Sequence, residues 1–343
     1  MKTKFLKCLA MSLALVTVSS FGVACAGGDT SSSSPLDSSS ISSVEETSSE
    51  YSSEEEISSV EDSSSEDNTP ANMYPEESLQ FQKIAGKEAY RVVGLGNVSD
   101  LDIVIPSTYR GLPVTEIGER AFWHEDGDDY ATPFQNITSI VIPDSVQIIG
   151  DSAFEYCYNL TSVVIGDSVQ IIGDYAFYRC DNLQYTIKDN LKYLGNATNP
   201  YLCLMDTTDA SITSATIDNA CRVIGPRAFS YCSNLTSIEI PDSVQSIGEY
   251  AFNYCSKLTS VTIPDRVQSI GEGAFYACDS LTSVIIPESV QYVGMCAFGQ
   301  CDNLTIYCEA DSEPNGWDSN WNMTGGESTM GDELPVVWGY KGE

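Results

Sequence analysis

The chain has 343 residues, 16 Lys and Arg against 49 Asp and Glu, and a formal net charge of −33. Such an excess of negative charge excludes a nucleic-acid partner, whose phosphates would be repelled, and disfavours anionic membrane surfaces. Twelve Cys but a single His leave little material for a histidine-based catalytic site.

The first 25 residues read as an export signal. Lys2, Lys4 and Lys7 form a positive start, and Cys8–Val18 is an apolar run too short to be read as a membrane span. Val23-Ala24-Cys25 resembles the end of a bacterial lipobox, which makes Cys25 the expected lipidation site. Gly22 stands where a large aliphatic residue is usual, and Ala24-Cys25-Ala26 equally fits cleavage for ordinary secretion. Residues 26–78 are a tract of Ser, Glu and Asp without Lys or Arg; 14 acidic residues fall between Asp29 and Glu77. It has too little apolar surface to offset its ordering entropy, and like charges keep it extended, so a disordered stalk is expected.

Residues 79–310 carry the main feature, a 23-residue refrain. It stands clearest at Leu160–Asn182, Leu235–Lys257, Leu258–Ser280 and Leu281–Asn303, with looser copies at Ile137–Asn159 and Ile212–Asn234. A fixed period of this kind marks a solenoid. Within one unit the spacing of Leu235, Ile238 and Ile240 predicts a strand with one apolar face. Pro241 follows and has no N–H for a ladder. Val244 and Ile247 return to the core, and Gly248 is expected at a backbone position with positive φ. Ala251, Phe252 and Cys255 fit the inner side of a short helical turn. One unit offers about eight apolar side chains at about 1.5–3 kcal/mol each. Ordering costs about 1–2 kcal/mol per residue, so only stacked units fold.

Stacking predicts ladders of identical residues. The Phe ladder is Phe122, Phe154, Phe177, Phe229, Phe252, Phe275 and Phe298. The Gly ladder holds Gly118, Gly150, Gly173, Gly225, Gly248, Gly271 and Gly294. The Cys ladder is Cys157, Cys180, Cys232, Cys255, Cys278 and Cys301. Translation by one coil of about 4.7–4.9 Å exceeds the Cβ separation of about 3.5–4.5 Å that a disulfide needs, so the ladder thiols are expected free and buried. Cys203, Cys221, Cys296 and Cys308 lie off the ladder, where pairing stays open.

The units LTSxxIPxSVxxIGxxAFxxC resemble the BspA-like leucine-rich repeats of bacterial surface proteins, over about Ser99–Ala310. The flanks Ala89–Phe122, Ile306–Asn322 and Pro335–Tyr340 resemble the family too. The resemblance implies a β-rich leucine-rich-repeat superhelix of parallel strands and short helical turns, capped at both ends. It also implies a secreted or surface-attached binding protein of the adhesin type, and no shared ligand.

Three places depart from the plain repeat. Residues 79–99 predict a small β cap, with a turn at Gly94-Leu95-Gly96, which lacks the third Gly and helix of a dinucleotide fingerprint. The first coil, Asp100–Asn136, carries insertions at Ser107–Pro113 and at Trp123–Asn136. Leu183–Ser211 lacks the IGxxAFxxC half and is expected to carry a hairpin. Residues 311–343 read as a C-terminal cap, for a total of eight coils.

No nucleophile–base set is visible, so no catalytic residue and no enzyme activity is expected. His124 lies in a loop, and Glu125, Asp126, Asp128 and Asp129 beside it do not match an EF-hand spacing. No cofactor and no metal are expected. The candidate contacts are the variable positions. On the strand face these are Glu239, Thr262 and Ile285, beside a column of Thr-Ser pairs. On the opposite wall they are Tyr156, Tyr175, Tyr178, Tyr231, Tyr250, Tyr254 and Tyr276, because Tyr offers rigid area and a hydroxyl. Trp317 and Trp321 in the cap either stack on sugar rings or, with Trp338, seal the core. The expected partner is a protein or a glycan at the cell surface, met by a monomer that touches membrane only through its lipid anchor. A structural spacer is the remaining alternative.

Overall fold

The computed structural model describes residues 78–96, 102–123, 136–325 and 331–342. The export signal, the stalk, Cys25 and the loop around His124 lie outside the described residues. The described residues form a parallel β-solenoid of about nine coils.

Each coil has three walls. The first is the L-T-S-V-x-I strand, as in β6 (Ser139–Ile142), β8 (Ser162–Ile165) and β18 (Ser283–Ile286). Successive strands pair in parallel with a shift of one period, Ile140 facing Val163 and Val141 facing Val164. Alternation does the sorting: Ile140 and Ile142 are buried while Val141 is exposed. A turn closed by the N–H of Val244 on the carbonyl of Pro241 (3.1 Å) leads to the second wall. This is a two-residue strand such as β14 (Val223–Ile224), β16 (Ser246–Ile247) or β17 (Ser269–Ile270), again paired in parallel.

The third wall is not helical. Its N–H groups alternate between two partners. Ala153, Glu155 and Cys157 donate to Gly150, Ser152 and Phe154 three residues back, whereas Ser152, Phe154 and Tyr156 donate to Asp174, Ala176 and Tyr178 of the next coil. An α-helix would spend all of these donors internally and leave neighbouring coils unbonded. The alternation requires two left-handed residues per coil: Ser152 and Tyr156, Tyr175 and Arg179, Arg227 and Tyr231, Tyr250 and Tyr254.

The ladder glycines correct the sequence expectation. None of Gly118, Gly150, Gly173, Gly225, Gly248, Gly271 or Gly294 has positive φ. They are required by contact: a Cβ on Gly150 would lie 2.6 Å from the Glu119 nitrogen, and one on Gly248 2.6 Å from that of Pro226. Phe rings stack inside the turn wall, with centroids 5.0–5.1 Å apart from Phe122 through Phe177 and 5.1–5.4 Å from Phe229 through Phe298. All ten described cysteines are free, including the off-ladder Cys203, Cys221, Cys296 and Cys308. Five of the six ladder thiols donate to the Phe carbonyl one coil back, as in Cys255 to Phe229 and Cys278 to Phe252, both 3.2 Å; Cys232, whose preceding coil has no Phe, pairs with Thr207 instead.

The N-terminal cap is a hairpin of β1 (Leu79–Lys83) and β2 (Tyr90–Leu95), and β2 runs parallel to β5 (Leu112–Ile117). The hairpin turns between Ile84 and Ala89, not at Gly94-Leu95-Gly96; Gly94 and Leu95 end strand β2. The Ser107–Pro113 insertion is a second hairpin, β4 (Thr108–Tyr109) with β5, closed by Arg110 and Gly111 at φ 50° and 76°. At the other end residues 304–324 form a further coil. Asp318 N–H donates to Val293 as a ladder glycine would, and Trp321 takes the place of Phe at 6.5 Å from Phe298.

The irregular coil divides the solenoid. β10 (Thr186–Lys188) and β11 (Leu191–Leu194) form an antiparallel hairpin around Asp189 and Asn190, both left-handed. β11 then pairs with β12 (Cys203–Thr207), which continues in parallel into β14 and β16. The second wall of the first stack stops at β9 (Ile171–Ile172). The new sheet serves two cores at once. Leu191, Tyr193, Leu204 and Ile224 pack into the second stack, and Leu194, Cys203 and Val223 pack into the first. The outer face of one stack's wall thus closes the open end of the other.

Candidate binding surface

On the strand wall Glu239, Thr262 and Ile285 are exposed. The Thr column beside them is committed to structure: Thr161 Oγ1 donates to the Thr138 carbonyl (3.0 Å) and Thr236 Oγ1 to that of Thr213 (2.9 Å). Glu239 accepts from Thr216 Oγ1 at 3.2 Å. The face is flat but uneven. Ile285 faces Tyr307 and Tyr307 faces Val337 across β18, β20 (Thr305–Cys308) and β21 (Val336–Trp338).

The seven candidate tyrosines fall into three groups. In the second stack Tyr231 and Tyr254 stack at 4.9 Å with planes 7° apart, and Tyr276 meets Tyr254 edge-on at 6.0 Å. Tyr231 opens this column because the preceding coil has no turn wall, and it is 61% exposed. In the first stack Tyr156 lies 6.1 Å from Tyr178 and 5.8 Å from the unforeseen Tyr158, centroid to centroid. Tyr158 belongs to a looser repeat copy, one residue past the Cys, where no column marks it.

Tyr175 and Tyr250 do neither. They clasp Arg227 between the stacks, its guanidinium 4.4 Å from one ring centroid and 4.7 Å from the other. The same guanidinium holds Asp174 through two hydrogen bonds of 2.9 Å. Burial pushes the Tyr175 hydroxyl up to about 12, with Arg227 opposing. These two rings are part of an internal seam, packed on Arg227.

Of the two readings of Trp317 and Trp321, the seal of the core is the one the packing matches. They are 7% and 1% exposed, meet each other at 4.7 Å and pack with Trp338 over the last core layer. Trp317 Nε1 is spent on the Val290 carbonyl at 3.2 Å. Neither ring is available to stack on a sugar. Among the described residues no cluster of His, Cys, Asp or Glu is arranged to hold a metal ion.

The sequence profile of the BspA-type leucine-rich-repeat region matches in six copies over residues 128–199 and 207–312, just over half of the chain. The chain belongs to this family. None of the curated proteins matches it. This BspA-type chain is similar to a leucine-rich-repeat protein of T. pallidum, with 23% identity, covering 68% of this chain and 80% of that one at a TM-score of 0.32. It is also similar to one of Bacteroides ovatus, with 24% identity, 77% and 67% coverage and a TM-score of 0.33. A leucine-rich cell surface protein of Faecalibacterium prausnitzii shows 20% identity, 73% and 96% coverage and a TM-score of 0.31.

Proposed function

We propose that this BspA-type protein is a non-catalytic binding protein, displayed on the bacterial surface through Cys25 or secreted, and that it recognises a host or matrix protein. The observation that carries this reading is the Tyr231–Tyr254–Tyr276 column, with Tyr231 and Tyr254 exposed and Tyr276 half-buried, on a chain of net charge −33. Left-handed backbone at Tyr231 and Tyr254, each tied to the next coil, holds the rings rigid before any ligand arrives. Rigid aromatic area is what binding hot spots use.

Ring orientation favours one partner class over the other. Tyr231 and Tyr254 lie face to face along the stack, so they offer edges and hydroxyls outward and only the terminal face of Tyr231 as a platform. A sugar chain that needs successive ring faces is poorly served. A protein segment bearing Arg or Lys is better served, and the chain itself seats Arg227, Arg179 and Arg110 on tyrosine rings. Acidic charge draws the same partner from a distance. Many copies on one cell would add avidity to weak single contacts.

The test is an array of matrix proteins, mucins and polysaccharides probed with the full chain, followed by Tyr231→Ala and Tyr254→Ala. Loss of about 30-fold in affinity for a protein ligand, weakened further by salt and without a change in melting, is the expected result. Salt-insensitive retention on a polysaccharide would replace this reading with glycan capture. No binding by folded protein would leave the spacer function. Separately, no palmitate label on the wild type, or label that survives Cys25→Ala, would remove the lipid anchor at Cys25.

A further inference from the structure

Asn315-Gly316 is the only Asn-Gly pair in the chain, and it lies in the C-terminal cap. The pair forms the tip of the turn Pro314–Trp317, closed by the Trp317 N–H on the Pro314 carbonyl at 3.1 Å. Both residues are exposed. Among the described residues neither the Asn315 side chain nor the Gly316 N–H makes a hydrogen bond. Asparagines in other turns are tied down. Asn182 Nδ2 donates to the Tyr158 carbonyl at 2.7 Å, Asn199 Nδ2 to that of Ala220 at 2.9 Å, and Asn196 Oδ1 accepts from the Asn199 N–H at 2.8 Å.

The glycine is imposed by packing. A Cβ at residue 316 would collide with the carbonyl oxygen of Gln291, a backbone atom of the preceding coil. The same close approach seats the next two residues. Trp317 Nε1 donates to the Val290 carbonyl at 3.2 Å, and the Asp318 N–H donates to Val293 at 2.8 Å. Trp317 is buried and meets Trp321 at 4.7 Å over the last core layer. The pair is therefore the exposed step immediately before the residues that close the core. A solenoid end without its cap leaves that layer in water.

An unheld Asn followed by Gly is chemically labile. The Gly316 amide nitrogen gives up its proton to hydroxide and bonds to Asn315 Cγ. The Cγ–Nδ2 bond breaks, Nδ2 leaves as ammonia, and a cyclic imide joins the two residues. Water then opens the imide at either carbonyl, which yields aspartate or isoaspartate. Glycine has no side chain to obstruct the attack. Water and hydroxide are the only co-reactants, and nothing is oxidised or reduced.

We propose that Asn315 is a self-modifying site whose conversion to isoaspartate unseats the Trp317 lid, a one-way timer on the C-terminal cap. In isoaspartate the chain runs through the former side chain, which adds a methylene to the turn. The Trp317-to-Pro314 bond and the seat of Gly316 on Gln291 then no longer fit together. Either product also adds a negative charge close in sequence to Asp311, Glu313 and Asp318. The change accumulates with age because the departed ammonia does not return.

The test is peptide mass mapping of the full chain, fresh and after incubation at pH 6 and pH 8, for wild type and Asn315→Gln. Melting temperature and tryptophan emission are read on the same samples. Aspartate and isoaspartate are expected at residue 315 before any other Asn is changed, and faster at pH 8. Aged wild type is expected to melt lower and emit at longer wavelength, and aged Asn315→Gln to match its fresh sample. Modification of Asn315 only after unfolding in urea overturns the site. Isoaspartate at residue 315 with melting and emission unchanged overturns the timer. If Asn315→Gln does not fold, ion exchange separates modified from unmodified wild type by charge, and equal melting of the two fractions overturns the proposal instead.

Discussion

Replacing Gly271 by Ala separates two explanations of a glycine column. A Cβ there would lie 2.5 Å from the Glu249 nitrogen, 2.7 Å from the Gly248 carbonyl carbon and 2.8 Å from the Glu249 Cα, all of them backbone. Ordinary contact begins near 3.4 Å, so two coils must separate by almost 1 Å. The bond from Gly271 N–H to the Ile247 carbonyl, now 2.8 Å, would then be too long to count. Loss of that bond costs about 0.5–1.5 kcal/mol, and overpacking adds about 1–3 kcal/mol. Reduced freedom of the unfolded chain returns about 0.4–1 kcal/mol, leaving a net loss of about 0.5–4 kcal/mol, centred on about 2 kcal/mol. Gly111→Ala is the control: its φ is +76° and nothing lies within 4 Å of the added atom, so it carries only the left-handed penalty of about 1–2 kcal/mol. Urea unfolding followed by circular dichroism reads both. Equal losses at Gly271 and Gly111, or a larger one at Gly111, would refute the close-approach explanation.

Trp321→Ala should cost about 3–5 kcal/mol, because the ring is 1% exposed and ends the aromatic ladder, whereas Trp321→Phe should recover most of it; urea midpoints decide. In folded protein at pH 8 a thiol reagent should leave Cys157, Cys221 and Cys255 unmodified, since burial pushes each up to about 12, and should reach half-buried Cys296 first; peptide mass mapping before and after unfolding checks the order. Arg227→Met should destabilise by about 1–3 kcal/mol through the stranded Asp174, discounted because the guanidinium side chain is 32% exposed. Adding Asp174→Asn should recover part of that loss, and additive losses in the double-mutant cycle would show that the pair is not coupled.

Much of this protein is legible in one dimension because a solenoid is nearly one-dimensional: each coil meets its neighbours one period away, so equal residues at equal spacing must stack. That is why the Phe and Cys ladders and the L-T-S-V-x-I strand wall follow from the pattern, and the hairpin in 183–211 from its interruption; the second, two-residue strand wall shows in the sequence only as a return of Val244 and Ile247 to the core. The failures occur where the same residue satisfies two physical causes. Glycine serves positive φ and close approach alike, and only the distance from Gly150 to Glu119 tells which operates. Alanine and phenylalanine next to cysteine suit a helical turn, yet the coil-to-coil bonds of Ser152, Phe154 and Tyr156 rule it out. Trp317 and Trp321 fit an exposed platform or a buried lid equally well until the last core layer is in view.

The sequence by itself determined the period, the identity of the core-facing residues and the family, since these are local and repeat. Tertiary structure decided which variable residues are surface and which are seam. Tyr175, Arg227 and Tyr250 occupy the same repeat slot and look alike along the chain. Only the break at residues 183–211 folds one stack's wall over the other's open end and turns that slot from solvent into an interface. Contacts 53 and 76 residues apart belong to no period, so no pattern in the sequence announces them.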